Sequence, residues 1–355
     1  MRASFVCAIA GTTVLAGAIA AATAAAPVTR TSPLRVSLFA ADGAVEVILT
    51  NTSNKSARVP RYQLPMGELE AKLFQVSRDG QPVAYEGPMI KRGLPSASEF
   101  AVLRPGQSIR SMVQLADSYD MRKGGTYTVT LASPLQHASL SDGSMLKNNR
   151  GLPLTLQSAP LRMYSAGKLP ALKRPPPSGG GTLVNGVTYV GCSSTQISGA
   201  GAAVASARGY SENAKGYLAA NNQGPRYTTW FGAYTSARYS TVNQHFVAID
   251  GAADLNNGEL KINCGCNQNY YAYVYPTQPY QIYVCNAFWT APNTGTDSRA
   301  GTLIHELSHF NVVAATDDHA YGHAAAKSLA ISDPTRAVDN ADSHEYLAEN
   351  TPSQN

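Results

Sequence analysis

Gly301-Thr302-Leu303-Ile304-His305-Glu306-Leu307-Ser308-His309 is the stretch on which the reading of this chain turns. Four uncharged residues lead into two histidines spaced four apart, with a glutamate beside the first. On an α-helix, positions i and i+4 share a face, so both imidazoles reach a single metal ion. Glu306 stands one step round, where its carboxylate holds a water on that metal instead of ligating the metal itself. The metal lowers the water's pKa, and the glutamate takes the proton as the water attacks a carbonyl. The helix is expected to start at a cap on Thr296 or Asp297 and to run through Phe310, largely inside the core. Buried histidines and a buried glutamate need partners, and a metal supplies them.

A catalytic zinc takes a third protein ligand and keeps one position open. A continuation with Gly at 312 and His at 315 is absent, because the chain has Val312 and Ala315 there. The segment Thr316-Asp317-Asp318-His319-Ala320-Tyr321-Gly322 offers Asp317, Asp318 and His319, of which at least two also suit a turn that caps the next helix. Glu345 or Glu349, further on, would make the centre gluzincin-like. A different class also fits the composition, a secreted adhesin or toxin in which zinc is only structural. Glu306 argues against it, since a structural site has no use for a base.

The pair His305-Glu306-Leu307-Ser308-His309 and Ala315-Thr316-Asp317-Asp318-His319-Ala320-Tyr321-Gly322 resembles the HExxH and GTxDxxYG pattern of the aspzincins, the deuterolysin-type metallopeptidases. Ala315 replaces the first Gly of that pattern. The resemblance implies one zinc per chain, held by His305, His309 and Asp318. It makes Glu306 the general base and aims the Tyr321 hydroxyl at the oxyanion of the tetrahedral intermediate. Tyr227-Thr228-Thr229-Trp230-Phe231-Gly232, Ala272-Tyr273-Val274-Tyr275-Pro276 and Asn340-Ala341-Asp342-Ser343-His344-Glu345-Tyr346 are similar to the peptidyl-Lys metalloendopeptidase branch. That similarity covers Thr188–Asn355 and implies that Asp342 and Glu345 form the S1′ pocket. Protein and peptide substrates are then cut on the N-terminal side of lysine. On spacing alone, carboxylates at i and i+3 describe an acidic helix face. Of the five cysteines, Cys7 lies near the start and Cys192, Cys264, Cys266 and Cys285 remain. Cys264 and Cys266 are too close to bridge easily, which leaves two connectivities. The resemblance implies Cys192–Cys264 and Cys266–Cys285.

Outward from this centre the chain divides. Residues 1–24 read as a secretory signal peptide, with Arg2, an apolar stretch from Phe5 to Ala22, and two A-x-A sites by Ala26. Secretion follows, and no later stretch is apolar enough to span a bilayer. Residues 33–165 carry short β-prone segments between turns, among them Val45–Leu49 and Thr126–Leu131, and predict an all-β, immunoglobulin-like sandwich pro-domain. Residues 166–187 hold a Pro/Gly-rich linker and the processing site. Residues 188–355 predict an α+β, zincin-like catalytic domain, in which Gln281–Phe288 is expected to be the edge strand that pairs with extended substrate.

Up to Val187 there are 20 Lys/Arg against 10 Asp/Glu, and after it 8 against 13. A basic half beside an acidic half predicts docking of one on the other, so that the pro-domain is an intramolecular inhibitor. Lys91 or Lys147 is expected in the lysine pocket, and Lys168 and Lys173 permit self-cleavage. The basic residues are scattered without interleaved aromatics, which excludes a nucleic-acid partner. A monomer is expected. His319, His323 and His344 are expected at the surface or in caps.

Overall fold

The computed structural model describes residues 32–41, 44–149, 151–167, 174–175 and 179–355. The leader, Lys168 and Lys173 lie outside the described residues.

Alternation of apolar and polar residues builds the first half. Its strands are β1 Leu34–Ala41, β2 Ala44–Asn51, β3 Ala57–Pro60, β4 Phe74–Arg78, β5 Gln81–Pro82 and β6 Met89–Lys91. They are followed by β7 Phe100–Leu103, β8 Ser108–Val113, β9 Gly125–Pro134, β10 Ser139–Leu140, β11 Thr155–Gln157 and β12 Leu161–Ser165. In β9 the residues Tyr127, Val129, Leu131 and Ser133 are buried while their neighbours face outward, the period of a half-buried strand. The chains pair as β1-β2-β8, β10-β3-β7 and β11-β9-β4-β5, with β12 also on β9, and every one of these pairings is antiparallel. The turn read at Asn51–Asn54 is held by Asn51 itself. Its side-chain NH2 donates to Lys55 O and Leu103 O, both at 2.8 Å, and its Oδ1 accepts from Ser53 N at 3.0 Å.

The second half contains β13 Thr182–Val184, β14 Val187–Val190, α1 Ser194–Ala219, α2 Pro225–Phe231, α3 Ser236–Ala253 and β15 Lys261–Asn263. It continues with β16 Ala272–Val274, β17 Gln281–Val284, α4 Asn286–Thr290, α5 Arg299–His309, α6 His323–Ser332, α7 Pro334–Val338 and α8 Ala341–Glu349. Its sheet runs β13-β14-β15-β17-β16 and ends on β6, which leaves the first half to pair antiparallel with β16. The sheet starts inside the segment read as linker, because Thr182–Val184 forms a hairpin with β14. Disulfides join Cys192 to Cys264 and Cys266 to Cys285, the pairings that the resemblance implied. Helix α5 is buried along nearly its whole length and packs on α8, α1, α3 and the sheet.

Two expectations need correction. The edge that takes an extended partner is β16, not Gln281–Phe288. The latter segment is strand only to Val284, lies between β15 and β16, and then turns into α4. The 18-residue α3 was not read from the sequence, although its buried Tyr239, Val242, Phe246, Ile249 and Ala253 recur at helical spacing. Among the described residues no helix is long and apolar enough to cross a membrane.

Candidate active site

The motif helix begins at Ser298, two residues past Thr296 and one past Asp297. Ser298 Oγ accepts from Gly301 N at 2.9 Å, capping the helix. Glu349, at the end of α8, fixes that cap, accepting at Oε1 from Ser298 N at 2.8 Å and from Ser298 Oγ at 2.7 Å. A Cβ on residue 301 would lie 2.1 Å from Glu349 Oε1, so only glycine fits where the carboxylate crosses the helix. Asp297, released from capping, has φ +51° and turns its carboxylate toward Tyr346, whose hydroxyl donates to Oδ1 at 2.7 Å.

One turn of α5 separates His305 and His309, and their Nε2 atoms lie 3.1 Å apart. Asp318 arrives from the loop before α6, with Oδ1 at 3.3 Å from His305 Nε2 and 3.5 Å from His309 Nε2. His309 Nδ1 donates to Thr316 O at 2.8 Å, which leaves its Nε2 with a lone pair. His305 Nδ1 lies 2.8 Å from Asp342 Oδ1 without the alignment of a hydrogen bond, and its Nε2 is the ring nitrogen turned toward His309 and Asp318. Two ring nitrogens and a carboxylate oxygen thus converge on one point, the donor set of a metal ion. Donors at about 2.0–2.1 Å from a tetrahedral zinc sit about 3.3–3.4 Å from one another, and these three distances bracket that value. The donor set therefore fits zinc. Both Glu306 carboxylate oxygens and Asp318 Oδ1 are buried without a hydrogen-bond partner in the protein. Burial pushes the Glu306 carboxyl up to about 8.

On the far side of His305 lies a second acidic nest, and a lysine fills it. Lys91 Nζ is 2.5 Å from Glu345 Oε2, 3.5 Å from Asp342 Oδ1 and 3.8 Å from Asp297 Oδ1. The Lys91 side chain is only 2% exposed. Burial alone would push its pKa down, but Asp342, Glu345 and Asp297 hold it well above the ordinary lysine value. Asp342 faces both nests: Oδ1 lies against His305 and Lys91, and Oδ2 accepts from Gly322 N at 2.6 Å and from Tyr346 Oη at 3.1 Å. Asp297 and Tyr346 are the site residues that sequence reading missed. Tyr346 stands at i+4 from Asp342, so helical spacing carried a signal for it; Asp297 carried only a capping signal.

The backbone around Lys91 is laid as an extra strand. Val274, Tyr273 and Ala272 oppose Met89, Ile90 and Lys91, and Tyr271 N donates to Lys91 O at 3.0 Å. Tyr321 Oη donates to Ile90 O at 3.1 Å, the carbonyl of the peptide bond preceding the buried lysine. Lys147, the other lysine considered, is exposed. Charge complementarity continues outside the pocket, where Lys72 Nζ meets Asp317 Oδ2 at 2.6 Å.

The remaining candidates sit elsewhere. His319 Nε2 pairs with Asp339 Oδ2 at 2.8 Å, at the periphery. His344, expected at the surface or in a cap, is instead a core residue. Its Nδ1 donates to Asn340 O at 3.0 Å and its Nε2 faces His245 Nδ1 at 3.0 Å.

A hydrolytic metal centre set beside a sheet edge that holds an extended segment is the equipment of a metallopeptidase. Comparison with known proteins makes the class particular. Residues 217–349 match the family model described as Lysine-specific metallo-endopeptidase. An "Extracellular protease" of Aeromonas hydrophila is 44% identical over 316 residues, covering 88% of this chain and 90% of the relative. A "Peptidyl-Lys metalloendopeptidase" of Grifola frondosa is 37% identical over 325 residues, covering 87% and 88%. A solved zinc peptidase from Grifola frondosa is 48% identical and covers 46% of this chain and 100% of its own, with a TM-score of 0.44. The chain belongs to the lysine-specific metallo-endopeptidase family and is a zinc metalloendopeptidase of the peptidyl-Lys type.

Proposed function

We propose that this chain is a secreted endopeptidase made latent, cutting Xaa-Lys bonds once its N-terminal half is released. The observation that carries the reading is Lys91, buried among Asp342, Glu345 and Asp297 with the preceding carbonyl on Tyr321. A segment held in this way has the contacts that a substrate lysine and its scissile bond require.

His305, His309 and Asp318 would hold one zinc per chain. When bound there, the ion supplies Lewis acidity and a water of lowered pKa. Glu306 receives the proton of the attacking water and returns it to the leaving amine. Tyr321 donates to the substrate carbonyl oxygen as its charge grows, where Ile90 O now accepts. Glu345 and Asp342 receive the lysine ammonium, a compact charge with three donors, whereas a wider planar guanidinium fits poorly. Asp318 is favoured over a gluzincin-like third ligand because Glu345 Oε2 approaches His305 at Nδ1, the nitrogen turned away from His309, and Glu349 accepts from Ser298.

In this reading residues 33–165 are an immunoglobulin-like pro-domain, in keeping with their wholly antiparallel pairing, and act as the inhibitor within a monomer. Processing falls between Ala166 and Thr188. The direct test is N-terminal sequencing of peptides released from a denatured protein by the processed enzyme. New N-termini should be mostly lysine, and Glu345→Ala should cost about 2–4 kcal/mol in kcat/KM for lysine substrates. No excess of lysine would sink the specificity. Equal hydrolysis by Glu306→Gln and wild type would sink the catalytic assignment.

A further inference from the structure

Arg92 follows Lys91 into a slot between two aromatic rings, one from each half of the molecule. Its guanidinium carbon lies 4.3 Å from the centroid of Tyr270 and 4.4 Å from that of Tyr62. Nη2 reaches Glu70 Oε2 at 2.8 Å, and the side chain is 5% exposed. Tyr62 and Glu70 belong to the N-terminal half and leave with it. Tyr270 stays.

We infer that Tyr270 forms a second specificity subsite, one residue past the lysine pocket, that favours arginine at the position after the substrate lysine. The inference rests on reading Lys91 as the mimic of a bound substrate lysine. Its geometric basis is the strand register. Tyr271 N donates to Lys91 O at 3.0 Å, which fixes the carbonyl from which the next residue departs. Any peptide that seats a lysine in the pocket and keeps this bond presents its next side chain at Tyr270.

Tyr270 is held from its own side of the cleft. Its carbonyl accepts from Ala287 N at 3.0 Å, and the carbonyl of Tyr271 accepts from Cys285 N at 2.9 Å. Cys285 is bonded to Cys266, so the disulfide backs the same loop. The backbone that carries the ring is therefore held by the C-terminal half, and only the hydroxyl reaches across, donating to Glu70 Oε2 at 3.4 Å. A guanidinium is planar, weakly hydrated and permanently charged, and stacks on an aromatic face that attracts cations. An aliphatic residue gains only packing there, and a carboxylate is repelled by the negative ring face.

The test uses enzyme activated from the full chain by linker cleavage, with peptides Ala-Ile-Lys-Xaa-Ala in which Xaa is Arg, Ala or Asp. The arginine peptide should exceed the alanine peptide in kcat/KM by roughly 3- to 10-fold, and the aspartate peptide should fall below both. Tyr270→Leu should collapse the arginine-to-alanine ratio toward one. Tyr270→Phe, which keeps the ring and drops the hydroxyl, should retain that ratio. Equal rates on the arginine and alanine peptides with wild type, or an undiminished ratio in Tyr270→Leu, would overturn the inference. Replacing the lysine of these peptides by alanine separates the two ideas. Wild type without a lysine preference overturns the pocket reading, and this inference with it. A lysine preference without an arginine advantage overturns the subsite alone.

Discussion

Residues 32–165 and 182–355 meet at one buried cation, and they reach it by different routes. The C-terminal half brings ionisable groups at helical spacing: His305 and His309 on α5, Asp342 and Glu345 on α8. Helix geometry fixes which of these face one another before any tertiary contact forms. The N-terminal half brings β6, three residues whose importance lies in where they are laid, on the edge strand β16 and in the acidic nest. Chemistry written as spacing belongs to one half, and chemistry written as shape and register belongs to the other. Substitutions in the two halves should accordingly fail in different ways.

The largest effects belong to the metal centre. Asp318→Ala should abolish zinc binding, read as metal per chain by atomic absorption, whereas Glu345→Ala should leave it intact. Glu306→Gln should keep the metal and lower kcat by about 10²- to 10⁴-fold. Loss of zinc in Glu345→Ala, with zinc retained in Asp318→Ala, would exchange the roles of the two carboxylates.

A smaller effect should mark the C-terminal half alone. Burial, with His245 beside it, pushes His344 down to about 3. Its folded value lies below the unfolded value of about 6.5, so unfolding takes up a proton in the window between them. Stability from this group is complete above about pH 6.5 and is lost as pH falls toward 3, at up to about 1.4 kcal/mol per pH unit. Denaturant unfolding at pH 7, 6 and 5 reads that slope. His344→Leu should flatten it whatever its absolute stability, and an unchanged slope would move the acid sensitivity elsewhere.

The smallest effect concerns a departure from the family pattern. Ala315 adopts φ +52°, a left-handed conformation that glycine enters without steric cost. Ala315→Gly should therefore stabilise the protein by roughly 1 kcal/mol, less the entropy that glycine adds to the unfolded chain. A lowered melting temperature would show that the loop gains something from the methyl group.

How much of this was legible follows from the same contrast between the halves. His305, Glu306 and His309 were named from their spacing, and Asp318, Asp342 and Glu345 through the family resemblance; Asp318, Asp342 and Glu345 all come within 3.4 Å of His305, and Asp318 within 3.5 Å of His309. Lys91 was one of two lysines considered, because charge distribution says that the halves attract but not which cation is delivered. Asp297 was read as a cap because capping is a local signal. Its contact with Lys91 depends on Glu349 securing Ser298 as the cap instead, across 51 residues of chain. The edge strand was misplaced for a related reason: Gln281–Val284 and Ala272–Val274 are equally β-prone. Which of them borders the sheet is decided by pairing, with β15 taking one side of β17 and leaving β16 as the last strand that the C-terminal half itself supplies, next to β6. Helix α3 was missed although its period was present, since its many polar residues dilute the apolar stripe.

The central claim is that Lys91 imitates a substrate lysine and keeps the site shut. Its most direct test is the turnover of a lysyl peptide by full-length chain whose linker is protected by Lys168→Gln and Lys173→Gln. With the linker shown intact by mass, this protein should be nearly inactive. Adding Lys91→Ala leaves three carboxylates without their cation, a loss of about 2–5 kcal/mol in the grip of one half on the other. Activity should then appear although the linker is uncut. Full activity with Lys91 present and the linker intact would contradict the account, as would continued silence of the Lys91→Ala chain that still binds zinc.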